Sequence, residues 1–196
     1  MKDLILTGDY VLLKPLQSDH VDELYAATDP RIWELITYRL DTRDELISFV
    51  ERALLHKNLE EEYPFVVYNK DTNECVGTTR FKRVPNNFSA LEIGMTWFNP
   101  SVWGSFVNTE SKYVMLQFAF EQLKLSQVYF RVSTKNIRSQ KAIEKLHASV
   151  EYTFMHKTLS GNEQEMYMYS IPYYQWDILK EELRKKLYFD DEQCYA

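Results

Sequence analysis

The segment with the clearest potential for chemistry is residues 91–109, which read LEIGMTWFNPSVWGSFVNT. A strand-like run ends at Pro100, a turn containing Gly104 follows, and a helix is predicted to begin near Thr109. Such a junction presents unpaired backbone amides at the positive end of a helix dipole, which suits a pyrophosphate. Every strand-to-helix junction shares this property, so the segment alone is a weak indication of an anion site.

A cluster of basic residues on the next predicted helix could serve the same anion. Arg138, Lys141 and Lys145 are spaced i, i+3 and i+7, so a helix would place them on one face. Lys112 and Lys135 would join them if the two helix starts are neighbours. A local concentration of positive charge on a chain of net charge −6 is typical of an anion-binding site. Charge alone, however, favours the simpler interpretation of a solvated, lysine-rich helix face.

The ordered motifs of residues 91–146 are similar to the core of the GNAT N-acetyltransferases, in the branch that includes the ribosomal-protein N-terminal (alanine/serine) acetyltransferases. That branch typically has Glu-Ile-Gly on a strand, a Trp-Gly-x-Gly-x-Asn-Thr-Glu turn, a helix ending Phe-Glu-x-Leu, and Asn-x-x-Ser at the next helix. The corresponding runs here are EIG, WGSFVNTE, FEQL and NIRS at residues 92–94, 103–110, 120–123 and 136–139. The similarity extends in order through residues 10–178.

The resemblance implies an α/β (α+β) fold with a mixed, mostly antiparallel sheet of about seven strands, flanked by helices, whose two central strands splay apart. It implies acetyl-CoA as co-substrate, with its pantetheine arm in the gap against the strand that contains Met95, Trp97 and Phe98. The pyrophosphate would bind backbone amides of the turn and the residues after it, which are Gly104, Ser105, Phe106, Val107, Asn108 and Thr109.

The next helix would complete the cofactor site that the resemblance implies. Asn136 and Ser139 match the family positions that contact the cofactor near its thiol end and along the pantetheine. Arg138 and Lys141 would add positive charge beside them. Ser139 is therefore a candidate for both cofactor binding and catalysis.

Glu92 is the candidate general base of the implied reaction. Direct attack of an amine on a thioester needs a neutral amine, a stabilised oxyanion and a proton for the departing thiolate. A carboxylate on the strand beside the gap could take the ammonium proton, directly or through water. The alternative is a structural carboxylate that accepts from an amide or pairs with Arg80 or Lys82.

Three residues depart from the family pattern. Phe106 replaces the second turn glycine, and a turn that needs glycine there would be strained by about 1–3 kcal/mol. His147 replaces the glycine after the cofactor helix, and Ile143 or a neighbour stands where many relatives have a tyrosine general acid. These departures keep open a second hypothesis, a catalytically impaired GNAT-fold protein that binds an acyl-CoA or a protein partner. The amine acceptor, a small molecule or a protein N-terminus, and a homodimer also stay open.

The composition argues against several other classes of protein. Net charge −6 disfavours a nucleic-acid-binding module, and no apolar run approaches the roughly 20 residues of a membrane span or forms a signal peptide. Cys75 and Cys194 have no metal-type spacing and are expected to be free thiols in the cytoplasm. No metal is predicted, because none of the four histidines, at 20, 56, 147 and 156, has metal-ligand spacing.

The elements that must position these residues can be read from hydrophobic periodicity. Strands are predicted at 11–13, 65–68, 75–81, 91–98 and 128–132, with a final hairpin at 150–170 that turns at 160–162. Helices are predicted after Ser18, after a capping box formed by Thr42 and Glu45, over 109–123, from Asn136 and after Pro172. The sequence therefore predicts one domain over residues 1–196, with the acetyltransferase domain at about 10–178 and a last helix and acidic tail at 172–196.

Overall fold

One eight-stranded sheet organises the chain in the computed structural model, which describes residues 3–34, 36, 38–157 and 163–189. The strands are β1 (Leu6–Thr7), β2 (Val11–Pro15), β3 (Glu62–Asn69), β4 (Glu74–Val84), β5 (Asn87–Phe98), β6 (Gln127–Ser133), β7 (Ser149–Lys157) and β8 (Glu163–Pro172). Their order is β1-β2-β3-β4-β5-β6-β8-β7, and every neighbouring pair is antiparallel except β5 and β6. The mixed, mostly antiparallel sheet is thus confirmed, and β1 adds the strand that the sequence did not predict. The predicted turn at 160–162 and the acidic tail lie outside the described residues.

Helices cover both faces of this sheet. In the described residues they are α1 (Val21–Ala26), α2 (Arg43–Asn58), α3 (Phe106–Gln117), α4 (Ile137–Glu144) and α5 (Trp176–Tyr188), with a π-helical turn at Phe118–Gln122 that extends α3. The predicted capping box starts α2, because the Thr42 hydroxyl accepts from the Glu45 amide and the Glu45 carboxylate accepts from the Thr42 amide.

The two faces of the sheet belong to two separate hydrophobic cores. Phe65 of β3 packs in the core of α3, α4 and α5, whereas its neighbour Val66 packs in the core of α1 and α2. This division follows from the alternation of side chains along a strand. In β5, Ile93 faces the first core and Trp97 the second.

The central pair of strands, β5 and β6, separates after three residue pairs. Ala90, Leu91 and Glu92 face Gln127, Val128 and Tyr129, and the ladder ends there. Beyond this point β6 continues alongside β8, and β5 continues alongside β4. The expected splay is therefore present, with Glu92 at the closed end of the gap.

A bulge in β5 lies inside the gap. Arg80 of β4 pairs with Gly94 and Thr78 pairs with Trp97, so two residues of β5, Met95 and Thr96, stand where β4 has one. Met95 has a positive φ of 51°. Such a bulge bends the strand. The edge of β5 that faces the gap has no partner strand in the described residues beyond Glu92, where the ladder with β6 ends.

Candidate active site

The N-terminus of α3 gathers the residues predicted to bind a pyrophosphate. Ser105 caps the helix, since its hydroxyl accepts from the Val107 amide at 3.3 Å and donates to the Val102 carbonyl at 2.7 Å. The helix therefore begins at Phe106, three residues before the predicted start at Thr109. This correction places Phe106, Val107, Asn108 and Thr109 in the first turn, where amides point out of the helix end.

The turn before α3 depends on one glycine. Gly104 has a φ of +80°, a conformation that strains any residue with a side chain, although no atom lies within 4 Å of the position of a Cβ there. The glycine is thus required by backbone conformation and not by a lack of space.

Phe106 was expected to strain this turn, because the family pattern has a glycine at its position, but it does not. It is an ordinary helical residue, and its ring packs against Tyr10 with ring centroids 5.0 Å apart. The phenylalanine therefore joins α3 to the start of β2.

We expect Phe106→Gly to lower the free energy of unfolding by about 1–3 kcal/mol, because ring contacts are lost and backbone freedom is gained. Acetyl-CoA affinity should not improve. Urea denaturation and calorimetry measure the two effects, and Phe106→Leu, which keeps an apolar contact with Tyr10, is the matched control. Tighter acetyl-CoA binding at unchanged stability would contradict this role.

The start of α4 lies beside the start of α3. Because β5 and β6 are parallel, the segments that follow them leave the same edge of the sheet. Arg138, in the first turn of α4, stacks over the Trp103 ring at 3.8 Å, and burial lowers the pKa of its guanidinium. The Asn136 side chain caps α4 by accepting from the Ser139 amide at 2.9 Å, which brings these two predicted residues together.

The outer edge of β5 supplies the other wall of the gap. Met95 lies in the bulge, while the side chains of Trp97 and Phe98 are buried and only 2% and 7% exposed. Along the edge of β5, these two residues can therefore offer their backbone groups to an extended ligand in the gap. An extended, amide-containing chain fits a strand edge of this kind.

The predicted basic cluster is only partly correct. Lys141, Lys145 and Lys135 are exposed beside Arg138. Lys112 does not join them, because α3 turns its side chain into the protein. Its Nζ donates to the Thr96 hydroxyl at 3.0 Å and lies 5.9 Å from the centre of the Phe130 ring.

Burial lowers the pKa of Lys112 to about 7. The unfolded chain would bind this proton up to its ordinary pKa of 10.5, so in this window it holds more protons than the folded chain. Stability should therefore rise with pH between about 7 and 10.5, by up to about 1.4 kcal/mol per pH unit.

We expect Lys112→Met to remove this slope and to be the more stable protein at neutral pH, since methionine buries no charge. Urea denaturation of both proteins from neutral to alkaline pH measures the difference. If the free energies of unfolding of the two proteins change with pH in parallel, the amine of Lys112 is solvated.

Glu92 is held by a cation that the sequence did not indicate. Arg131 Nη2 donates to both carboxylate oxygens of Glu92, at 3.1 and 3.2 Å. The expected alternative partners are engaged elsewhere, since Arg80 and Lys82 both pair with Glu62, at 2.6 and 3.4 Å. Arg131 therefore fixes the orientation of the Glu92 carboxylate at the closed end of the gap.

A histidine shares this face of the sheet with Glu92. Burial, and then the charges of Arg131 and Lys82, lower the pKa of His156. This favours the neutral imidazole, so His156 is a second basic group close to Glu92. Sequence patterns did not indicate this role for His156, because it belongs to a distant strand.

His147, which stands where the family pattern has a glycine after α4, has the left-handed backbone conformation that glycine favours. His147 has a φ of 58°, and its Nε2 lies 2.8 Å from Glu182 Oε2 of α5. Histidine tolerates this left-handed conformation better than a branched residue does.

Among the described residues, no group of three or more histidine, cysteine, aspartate or glutamate side chains is arranged to hold a metal ion. In the same part of the chain, no helix is both long and apolar enough to cross a membrane.

The mostly antiparallel sheet, its gap and the two helix starts define an acetyltransferase architecture. A family model described as acetyltransferase (GNAT) domain matches residues 11–149. This is well over half of the sequence, and the chain belongs to the GNAT acetyltransferases. A comparison with curated proteins finds no match.

Solved structures share the fold along nearly the whole chain. A GCN5-related N-acetyltransferase from Brucella melitensis has a TM-score of 0.87 at 22% identity, over 97% of this chain and 88% of that one. RimL, a ribosomal L7/L12 α-N-protein acetyltransferase, has a TM-score of 0.74 at 18% identity, over 87% and 94%. The microcin C7 self-immunity acetyltransferase MccE, solved with acetyl-CoA and AMP, has a TM-score of 0.72 at 15% identity, over 84% and 93%.

Proposed function

We propose that this chain transfers the acetyl group of acetyl-CoA to a primary amine, a small molecule or a protein N-terminus, by direct attack. The observation that carries the proposal is the gap between β5 and β6, with two helix N-termini at its open end and Glu92 at its closed end. We also propose that the chain acts as one domain, because all its described strands form one sheet, and that it works in the cytoplasm.

Acetyl-CoA supplies an activated thioester when bound, and the residues of the gap would hold it. The backbone of Met95, Trp97 and Phe98 would bind the pantetheine amides along the edge of β5. The pyrophosphate would bind first-turn amides of α3, in a set formed by Gly104, Ser105, Phe106, Val107, Asn108 and Thr109. Asn136, Arg138, Ser139 and Lys141 would line the opposite side of the gap.

Glu92 and Ser139 would move the protons. Glu92 takes the proton that the amine loses as its nitrogen bonds to the thioester carbon. The Ser139 hydroxyl passes a proton to the sulfur as the carbon–sulfur bond breaks, and it regains a proton from the protonated Glu92 through water. Arg131 positions the Glu92 carboxylate beside the gap, which supports its role as the base.

A second candidate is an acyl-CoA-binding protein that does not turn over. Ile143, which is buried and 6% exposed, has no hydroxyl with which to replace the tyrosine acid of many relatives. The pairing of Glu92 with Arg131 is also compatible with a purely structural carboxylate.

Thiol release from acetyl-CoA separates the two candidates. Polyamines, aminoglycosides, amino acids and N-terminal peptides are each offered as acceptors, and at least one class should release thiol well above hydrolysis. If every class fails while acetyl-CoA still binds, the non-catalytic protein is the better description.

A further inference from the structure

A buried arginine lies on the same sheet face as Glu92. Arg80 of β4 is 3% exposed and stands opposite Gly94, two residues along β5 from Glu92. Its Nη1 donates to Glu62 Oε2 at 2.6 Å. Its Nε and Nη2 are buried and have no hydrogen-bond partner within the described ranges. Glu62 therefore fixes the guanidinium and leaves one two-donor edge unused.

This unused edge is the one with which other arginines of the chain bind carboxylates. Arg31 donates through Nε and Nη2 to Asp29 at 2.8 and 2.7 Å, and Arg39 donates through the same atoms to Asp41 at 2.8 and 3.0 Å. The spacing of these two donors matches the two oxygens of a carboxylate.

Two further buried donors lie in the same aromatic cluster. The Tyr38 hydroxyl and Trp97 Nε1 also have no partner in the described part of the chain. The Phe49 ring connects them to the arginine, at 4.8 Å from the Arg80 guanidinium and 5.8 Å from the Tyr38 ring, and Trp33 lies 5.9 Å from Tyr38 and 5.5 Å from Trp97. Burial raises the pKa of Tyr38, so its hydroxyl keeps its proton and can donate.

The ion pairs around Arg80 contain three cations and two carboxylates. Among the described residues, Glu62 pairs with Arg80 and Lys82, and Glu92 pairs with Arg131. Burial opposes the ionisation of Glu62, but Arg80 and Lys82 outweigh it and lower the pKa of Glu62, which stays charged. Buried donors without acceptors are rare in native proteins, and each needs an explanation.

We propose that the unused edge of Arg80, with Tyr38 and Trp97, is a subsite for a carboxylate on the acceptor, which makes the acceptor a free amino acid. The inference rests on the proposed function, because it assumes an amine beside Glu92. Two residues of strand span about 7 Å. An amine and a carboxylate of one small molecule can therefore reach Glu92 and Arg80 together.

The first test compares each amino acid with its own α-carboxamide in the thiol-release assay. The carboxamide presents a more easily deprotonated amine, so chemistry alone would favour it. We expect kcat/KM to favour the carboxylate by about tenfold or more, because a site built to bond one group rejects its isostere.

The second test uses the double variant Arg80→Gln/Glu62→Gln, which removes both charges of the pair and leaves no lone buried ion. It should lose the preference for carboxylate while it still accepts the carboxamide. Arg83→Gln is the matched control, since Arg83 lies on the same strand but is half exposed and pairs with Glu60. The control should keep the preference.

A third measurement needs no turnover. Amino acids, but not their carboxamides, should raise the melting temperature of the wild-type protein and not of the double variant. Equal use of both acceptors, or a preference that survives in the double variant, would overturn the subsite. If no amine releases thiol, the proposed function fails, but the melting temperatures still test the subsite. A rise in melting temperature with amino acids alone supports the subsite. The absence of any rise would mean that these donors bind structural water.

Discussion

Glu92→Gln should lower kcat by about 10²-fold or more, the usual contribution of a general base, and should leave acetyl-CoA affinity unchanged. Glutamine is nearly isosteric and can still accept from Arg131, so the packing of this region should survive. It cannot take a proton from an ammonium group. Steady-state rates against pH, with calorimetry of acetyl-CoA binding, measure the two parts of this expectation.

Glu74→Gln is the control for the general loss of one carboxylate, because Glu74 begins β4 and is exposed. Its kcat should match that of the wild type. If Glu92→Gln keeps the wild-type pH–rate profile, the base is another group, and His156 becomes the first candidate because its imidazole shares the same charged face.

Glu110→Ala should lower the free energy of unfolding by about 3–6 kcal/mol, since it leaves several buried donors without an acceptor. The Glu110 carboxylate is fully buried. It accepts from the backbone amides of Asp9, Tyr10 and Val11 at 2.8, 2.7 and 2.9 Å, and from the Tyr188 hydroxyl at 2.7 Å. One side chain of α3 thus holds the start of β2 and the end of α5.

Tyr188→Phe is the matched control, because it removes only one of the four hydrogen bonds and should cost about 1–2 kcal/mol. Urea denaturation measures both variants. A loss in Glu110→Ala no larger than that in Tyr188→Phe would mean that water replaces the carboxylate and that this anchor is weak.

The elements with strong local signals were predictable from the sequence. The capping box of Thr42 and Glu45 starts α2 as expected, and hydrophobic periodicity located every strand longer than two residues. The start of α3 was misplaced because the better cap, Ser105, precedes the first apolar repeat of the helix. β1 was missed because two residues carry no periodicity.

The charged interior of the molecule could not be predicted in the same way. Lys112, Glu110 and Arg80 have charged side chains, which are almost always assigned to the surface. Their burial depends on partners far away in sequence, such as Thr96 for Lys112 and Glu62 for Arg80. Periodicity contains no information about such long-range pairs.

The site was predictable in its parts but not in its contacts. The family motifs indicated Glu92, the start of α3 and the start of α4, and the structure brings the two helix starts together through Arg138 and Trp103. The partner of Glu92 was not predictable, because it depends on where the β5–β6 ladder ends. Only the register of that parallel pair places Arg131 within reach.

Calorimetric titration of acetyl-CoA into the protein tests the central claim most directly. We expect micromolar-range binding that weakens as salt is added, because exposed cations such as Lys141 attract an anionic ligand and are screened by ions. The same ligand should raise the melting temperature. The absence of both heat and thermal shift at millimolar acetyl-CoA would contradict the cofactor site and the function built on it.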